Sequence, residues 1–147
     1  MKLNECIYFL TTRLSRELKK SFDKNLEHLG LTSAMWCVLM VIIEQGEITQ
    51  KEISECLSIE TPTVTKILDN LSKRDYILRL PHKTDRRAFK VSLTEKGKKV
   101  KDEIINSGEC FMKFVKRDLD EFEKEAIKNL LTKIYISVKG DDKKNLS

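Results

Sequence analysis

The sequence predicts a mainly α protein with one small β-hairpin, the wing, and three observations lead there. Glycine and proline are scarce, at 5 and 2 of 147 residues, while 35% of the chain is charged and 40% hydrophobic; such a composition favours helices. Apolar residues recur every three or four positions through most of the chain, the period of a helix with one buried face. After Tyr76 the period shortens to two, as in a half-buried strand.

The elements follow in order. Leu3, Ile7, Leu10, Leu14, Leu18, Phe22, Leu26 and Leu29 form one apolar stripe along a first helix, opposite a basic face of Arg13, Arg16, Lys19, Lys20 and Lys24. Gly30 stands where a helix C-terminal glycine is expected. Thr32 or Ser33 caps a second helix containing the ten-residue apolar run Ala34 to Ile43. A helix apolar on every side belongs at the domain centre. Gln45 and Gly46 end it, and Glu47 and Ile48 make a short strand.

Thr49 to Glu52 reads as a capping box opening a third helix whose inner face is Ile53, Cys56 and Leu57. Ser58, Ile59 and Glu60 form a three-residue turn. Thr61 and Pro62 read as the N-cap and first position of a fourth helix, with Val64, Ile67, Leu68 and Leu71 buried. Small Ser54 and Ser58 sit where the two helices approach, the pattern of a helix-turn-helix. Ile77 to Leu80 then pairs with Phe89, Val91 and Leu93 across a loop from Pro81 to Ala88. Thr94 caps a long fifth helix through Val100, Ile104, Phe111, Val115 and Leu119. Asp120 to Glu123 is a second capping box, opening a sixth helix with Ile127, Leu130, Leu131, Ile134 and Val138 on one side.

The net charge is +5. Residues 61–93 carry all of it: eight Lys or Arg (Lys66, Lys73, Arg74, Arg79, Lys83, Arg86, Arg87, Lys90) against Asp69, Asp75 and Asp85. Positive charge concentrated on one small element is what phosphate attraction requires. Thr61, Thr63, Thr65 and Lys66 face outward on the fourth helix, where short hydroxyls and an ammonium reach base edges and phosphates. On the hairpin, Arg86 and Arg87 suit a narrow minor groove, Lys83 and Lys90 suit phosphates, and Arg79 is a further candidate DNA-binding residue. Asp85 repels phosphate; it makes sense if it holds an arginine by a bidentate pair and shapes the loop.

The same reading excludes several classes. No Ser-His-Asp, Cys-His or paired-carboxylate arrangement and no phosphate-binding glycine loop is present, so no catalytic residues are assigned. His28 and His82 are the only histidines, and Cys6, Cys37, Cys56 and Cys110 are widely separated, so neither a metal site nor a cofactor is expected. The opening MKLNECIYFL lacks a long apolar core and a small-residue cleavage site, and no run is long enough to span a bilayer. A reducing cytoplasm is the expected compartment. Cys37 and Cys56 are expected to be inert packing residues.

Several motifs together resemble the MarR (multiple antibiotic resistance regulator) family of winged-helix transcription factors: Leu31-Thr32, Thr49-Gln50, Thr63-Val64-Thr65, and Asp85-Arg86-Arg87 followed by Leu93-Thr94-Glu95-Lys96-Gly97. The resemblance covers nearly the whole chain. It implies a winged helix-turn-helix lobe at 32–94, dimerisation helices at 1–31 and 95–139, and a polar tail at 140–147. It further implies a homodimer on a pseudo-palindromic double-stranded operator, with recognition helices in successive major grooves and Arg86 in the minor groove. A small aromatic or phenolic effector would bind in a crevice lined by Tyr8, Phe22, Met35, Trp36 and Phe111; ordinary core or dimer packing is the alternative for each. The family's usual glycine before the first wing strand is Asp75 here. In peroxide-sensing relatives a reactive cysteine lies near the N-terminus; matched to them, this chain has Tyr8 at that position, with Phe22 and Trp36 where tyrosines are expected.

The flanking stripes exceed what one lobe can cover, which a twofold pair resolves; an intramolecular three-helix bundle is the alternative. The leading expectation is therefore a dimeric, sequence-specific repressor modulated by an effector. A winged-helix module binding an acidic protein and a cysteine-based redox regulator are the alternatives.

Overall fold

A computed structural model describes residues 1–85 and 88–144, with side chains to Asp141. The chain forms two compact units, Met1–Glu109 and Cys110–Ser147. In the first, α1 (Ile7–Asn25) follows a short 3-10 turn at Leu3–Glu5, so the first stripe is interrupted at Cys6. A second 3-10 turn (Glu27–Leu29) leads to Gly30, whose φ of 64° is the expected left-handed stop.

Next come α2 (Ser33–Gln45), β1 (Ile48–Thr49), α3 (Gln50–Leu57), α4 (Thr61–Lys73), β2 (Ile77–Pro81) and β3 (Phe89–Leu93). Thr32 caps α2 by accepting from Met35 N–H at 3.2 Å. The core lies around α2, where Val38 and Leu39 are fully enclosed together with Leu26, Ile53, Val64, Leu68 and Leu71. The antiparallel sheet has the order β1-β3-β2, with Ile48 opposite Val91 and Ile77 opposite Leu93. Val91 is buried, but Phe89 is exposed; it pairs with Pro81 at the loop end of the hairpin, away from the core.

The expected long fifth helix is two helices. α5 (Glu95–Lys99) is one turn, capped by Thr94 Oγ1 accepting from Gly97 N–H at 3.0 Å. The chain turns at Val100 (φ −98°, ψ 3°), and α6 (Lys101–Val115) carries the path into the second unit. The break lies next to Gly97, where an added Cβ would strike the Tyr76 carbonyl oxygen. This close seat holds α5 against the base of the sheet. Leu119 falls after α6, in the link to α7 (Glu121–Lys144). The predicted capping box at α7 is present: Asp120 Oδ1 accepts from Glu123 N–H at 2.8 Å, and Glu123 Oε2 from Asp120 N–H at 2.9 Å. α7 continues through residues where the sequence suggests a polar tail.

Candidate nucleic-acid interface

The interface candidate is built on the α3–α4 corner. Thr49 and Glu52 close the capping box, with N–H to oxygen distances of 2.8 and 3.2 Å. The Thr49 N–H, and then the Thr49 hydroxyl donating to Glu52 Oε2 at 2.9 Å, hold the Glu52 carboxyl below its usual range. Ser58 turns the chain with a φ of 52°, and Ser54 Oγ ties the corner by donating to the Ile59 carbonyl. Glu60, not Thr61, is the N-cap of α4. Thr61 is its first residue and Pro62 lies in the first turn, where a missing N–H leaves no bond unmade.

With Val64, Ile67, Leu68 and Leu71 buried, α4 turns Thr61, Thr63 and Lys66 to solvent and leaves Thr65 half-buried. Thr65 is held from both sides. Its hydroxyl donates to the Thr61 carbonyl at 3.0 Å and accepts from Gln50 Nε2, which also reaches the Thr61 carbonyl at 3.4 Å. Sequence reading saw Gln50 only as part of the α3 opening. Its bonds cross to α4, and no local period reports such a contact.

Arg79 pairs through Nη2 with Asp69 Oδ1, so this wing-strand cation is tied to α4. Lys90 is half-buried on β3 opposite Leu80; Lys83 and Asp85 are exposed on the loop. His82 Nδ1 accepts from Asp85 N–H at 3.1 Å and Thr84 N–H at 3.3 Å, closing the turn. Sequence reading missed this role. Arg86 and Arg87, and hence the expected Asp85–arginine pair, lie outside the described residues.

The wing is anchored at its base. Tyr76 is buried and its hydroxyl donates to the Leu29 carbonyl at 2.9 Å. Thr94 Oγ1 donates to the Asp75 carbonyl, and Lys96 Nζ to the Arg74 carbonyl at 2.7 Å. Asp75 adopts the left-handed conformation, with φ 61°, that the glycine-to-aspartate departure implied. A groove of about 420 Å³ between the corner and the hairpin is lined by Thr49, Gln50, Lys51, Thr61, Ala88 and Phe89.

Among the effector candidates, Phe22 and Trp36 meet edge to face at 5.1 Å, and Trp36 Nε1 donates to the Ile104 carbonyl at 2.9 Å. Met35 is buried. Tyr8 is exposed and stands apart from them on α1, and Phe111 is a buried residue of the second unit. The cysteines are unbridged. Cys37 is half-buried, and burial pushes its thiol up, which suits an inert role. Cys56 is exposed, contrary to the expected packing role, because it lies on the outer side of α3. No helix among the described residues is long and apolar enough to cross a membrane.

The MarR family model matches residues 31–89, the span from the α2 cap to the end of the wing loop. The transcriptional regulator SarZ of Staphylococcus aureus (strain USA300) is 31% identical over 102 residues, 69% of each chain. The chain belongs to the MarR family. Among solved structures, an Escherichia coli MarR point mutant complexed with operator DNA is 26% identical with a TM-score of 0.81, covering 91% of this chain and 98% of that one. A Staphylococcus aureus MepR–DNA complex is 27% identical with a TM-score of 0.77, covering 90% and 96%. The architecture is thus the MarR winged helix, and the chain is a transcriptional regulator rather than an enzyme.

Proposed function

We propose that the protein is a homodimeric repressor that grips a pseudo-palindromic operator in the cytoplasm and releases it when a small aromatic or phenolic effector binds. The observation that carries the DNA reading is the hydroxyl- and lysine-bearing face of α4 set beside a hairpin, in a segment whose charge excess equals the net charge of the whole chain. Thr61, Thr63, Thr65 and Lys66 are the groove-facing set. Arg86 and Arg87 supply the minor-groove contact and Lys83 and Lys90 the phosphates, with Arg79 and Asp85 holding the wing in shape. The two related complexes with DNA support the same assignment.

Dimerisation is supported by apolar faces that one copy leaves uncovered. On α1 these are Ile7, Leu10 and Leu14, and on α7 Leu130, Leu131 and Ile134. A second copy covers such faces under twofold symmetry. Sedimentation equilibrium should give twice the chain mass; a monomer at micromolar concentration overturns the dimer. For the effector, Phe22, Met35 and Trp36 offer an apolar, aromatic lining, and a thermal-shift screen of phenolic compounds tests it.

The decisive experiment is recovery of bound genomic DNA, followed by fluorescence anisotropy across salt. Counterion release from about six to ten neutralised phosphates would lower affinity by roughly 10³–10⁵ between about 50 and 200 mM salt. Arg86→Ala should abolish most of the operator affinity while leaving the oligomer intact. Salt-insensitive binding, or binding only to an acidic protein, sinks the reading.

A further inference from the structure

Three threonines open α4, yet they present different chemistry. A threonine hydroxyl has one proton and two lone pairs. At Thr65 the proton is directed to the Thr61 carbonyl, 3.0 Å away, one helical turn back. One lone pair receives the amide of Gln50. The orientation of that amide is set by its second neighbour. It also faces the Thr61 carbonyl at 3.4 Å, which has no proton to give, so the group turned inward must be the NH₂. Thr65 is left with one acceptor lone pair and its methyl group.

Thr61 and Thr65, four residues apart, share the flank of α4 turned toward α3. Thr63 lies on the other flank, and among the described residues its hydroxyl has no hydrogen-bond partner. Thr63 can therefore donate or accept, whereas Thr65 can only accept.

In the major groove these alternatives have opposite meanings. Adenine N6 and cytosine N4 donate, thymine offers a methyl, and guanine shows only the acceptors O6 and N7. We propose that Gln50 is a specificity-positioning residue: by holding the Thr65 hydroxyl as an acceptor, it makes Thr65 favour an amino- or methyl-bearing base edge and reject guanine. The inference rests on the reading of α4 as the groove-entering helix and names one determinant of its sequence preference.

The test begins with the operator recovered by the wild-type protein. Each base pair is substituted in turn, and affinity is measured for wild type and Thr65→Val. The pair whose preference Thr65→Val flattens is the one Thr65 faces. There the wild type should disfavour a guanine edge by about fivefold to tenfold, the lower part of the range for one mismatched pair. Gln50→Leu keeps bulk but frees the hydroxyl to turn and donate, and should bring that ratio to within about twofold. Thr65→Ser should keep the rejection of guanine and lose the preference for thymine. Circular dichroism and melting confirm that each variant is folded; if Gln50→Leu is not, Gln50→Ala replaces it. An unchanged guanine ratio in a folded Gln50 variant, or no pair flattened by Thr65→Val, overturns the inference with DNA binding intact. Absence of any salt-sensitive operator binding by the wild type overturns the DNA reading itself.

Discussion

Arg79 on β2 donates from Nη2 to Oδ1 of Asp69 on α4, joining the first wing strand to the second helix of the helix-turn-helix. The pair is solvent-exposed, so it contributes about 1 kcal/mol or less to stability. Its effect should appear in DNA binding. Asp69→Asn should leave the melting temperature nearly unchanged. It removes an acid from the basic face, so affinity for unrelated DNA should rise at low salt while the operator-to-unrelated ratio falls. Paired anisotropy titrations on the two DNAs check this; a ratio equal to wild type contradicts it.

The sheet–α5 seat gives a sharper stability prediction. A Cβ at Gly97 would strike the Tyr76 carbonyl and press on Leu93. Backbone on one side and a packed side chain on the other leave no room to yield. Gly97→Ala should destabilise by about 1–3 kcal/mol, the usual cost of overpacking. Urea unfolding measures it, and a loss below about 0.5 kcal/mol would show that α5 can shift freely.

Asp75 should respond in the opposite direction. Its φ of 61° lies where an L side chain crowds the backbone. Asp75→Gly should stabilise by about 0.5–1 kcal/mol, offset in part by the greater freedom of glycine in the unfolded chain. Urea midpoints of the two proteins decide the sign.

Acid should weaken the α1–α2 junction. Asp23 Oδ1 accepts from Ser33 N–H at 2.7 Å and Oδ2 pairs with Lys19 at 2.7 Å. Partial burial raises the Asp23 carboxyl, but the Lys19 and Ser33 bonds together outweigh it and hold it below its usual 3.8. A lowered value in the folded state means stability that is present above the unfolded value and lost as pH falls through the folded one. Wild type should therefore lose this contribution below about pH 4. Asp23→Asn should be less stable at neutral pH and show a shallower acid limb in melting temperature against pH.

Much of this molecule was legible because its signals are local. The capping boxes at Thr49 and Asp120, the Thr32 and Thr94 caps and the hairpin between β2 and β3 each rest on residues close in sequence. The basic excess in residues 61–93 required only counting, and the MarR motifs lie in that same stretch. What was misread depended on surroundings. Cys56 fits an apolar period but lies on the outer side of α3. Phe89 fits the strand alternation but stands at the loop end of the hairpin. The N-cap of α4 shifted by one residue because Glu60 already has the extended backbone that a cap requires.

Local patterns set the order and kind of most elements and where positive charge gathers, because caps, periods and charge counts act over a few residues. Packing alone sets the bond from Gln50 to Thr65, the Arg79–Asp69 pair, the anchor of Tyr76 on Leu29 and the break at Val100. Those contacts join residues 10 to 47 positions apart, or depend on a close seat against the sheet. Hydrogen bonds of that span join elements distant in sequence, so no local pattern announces them.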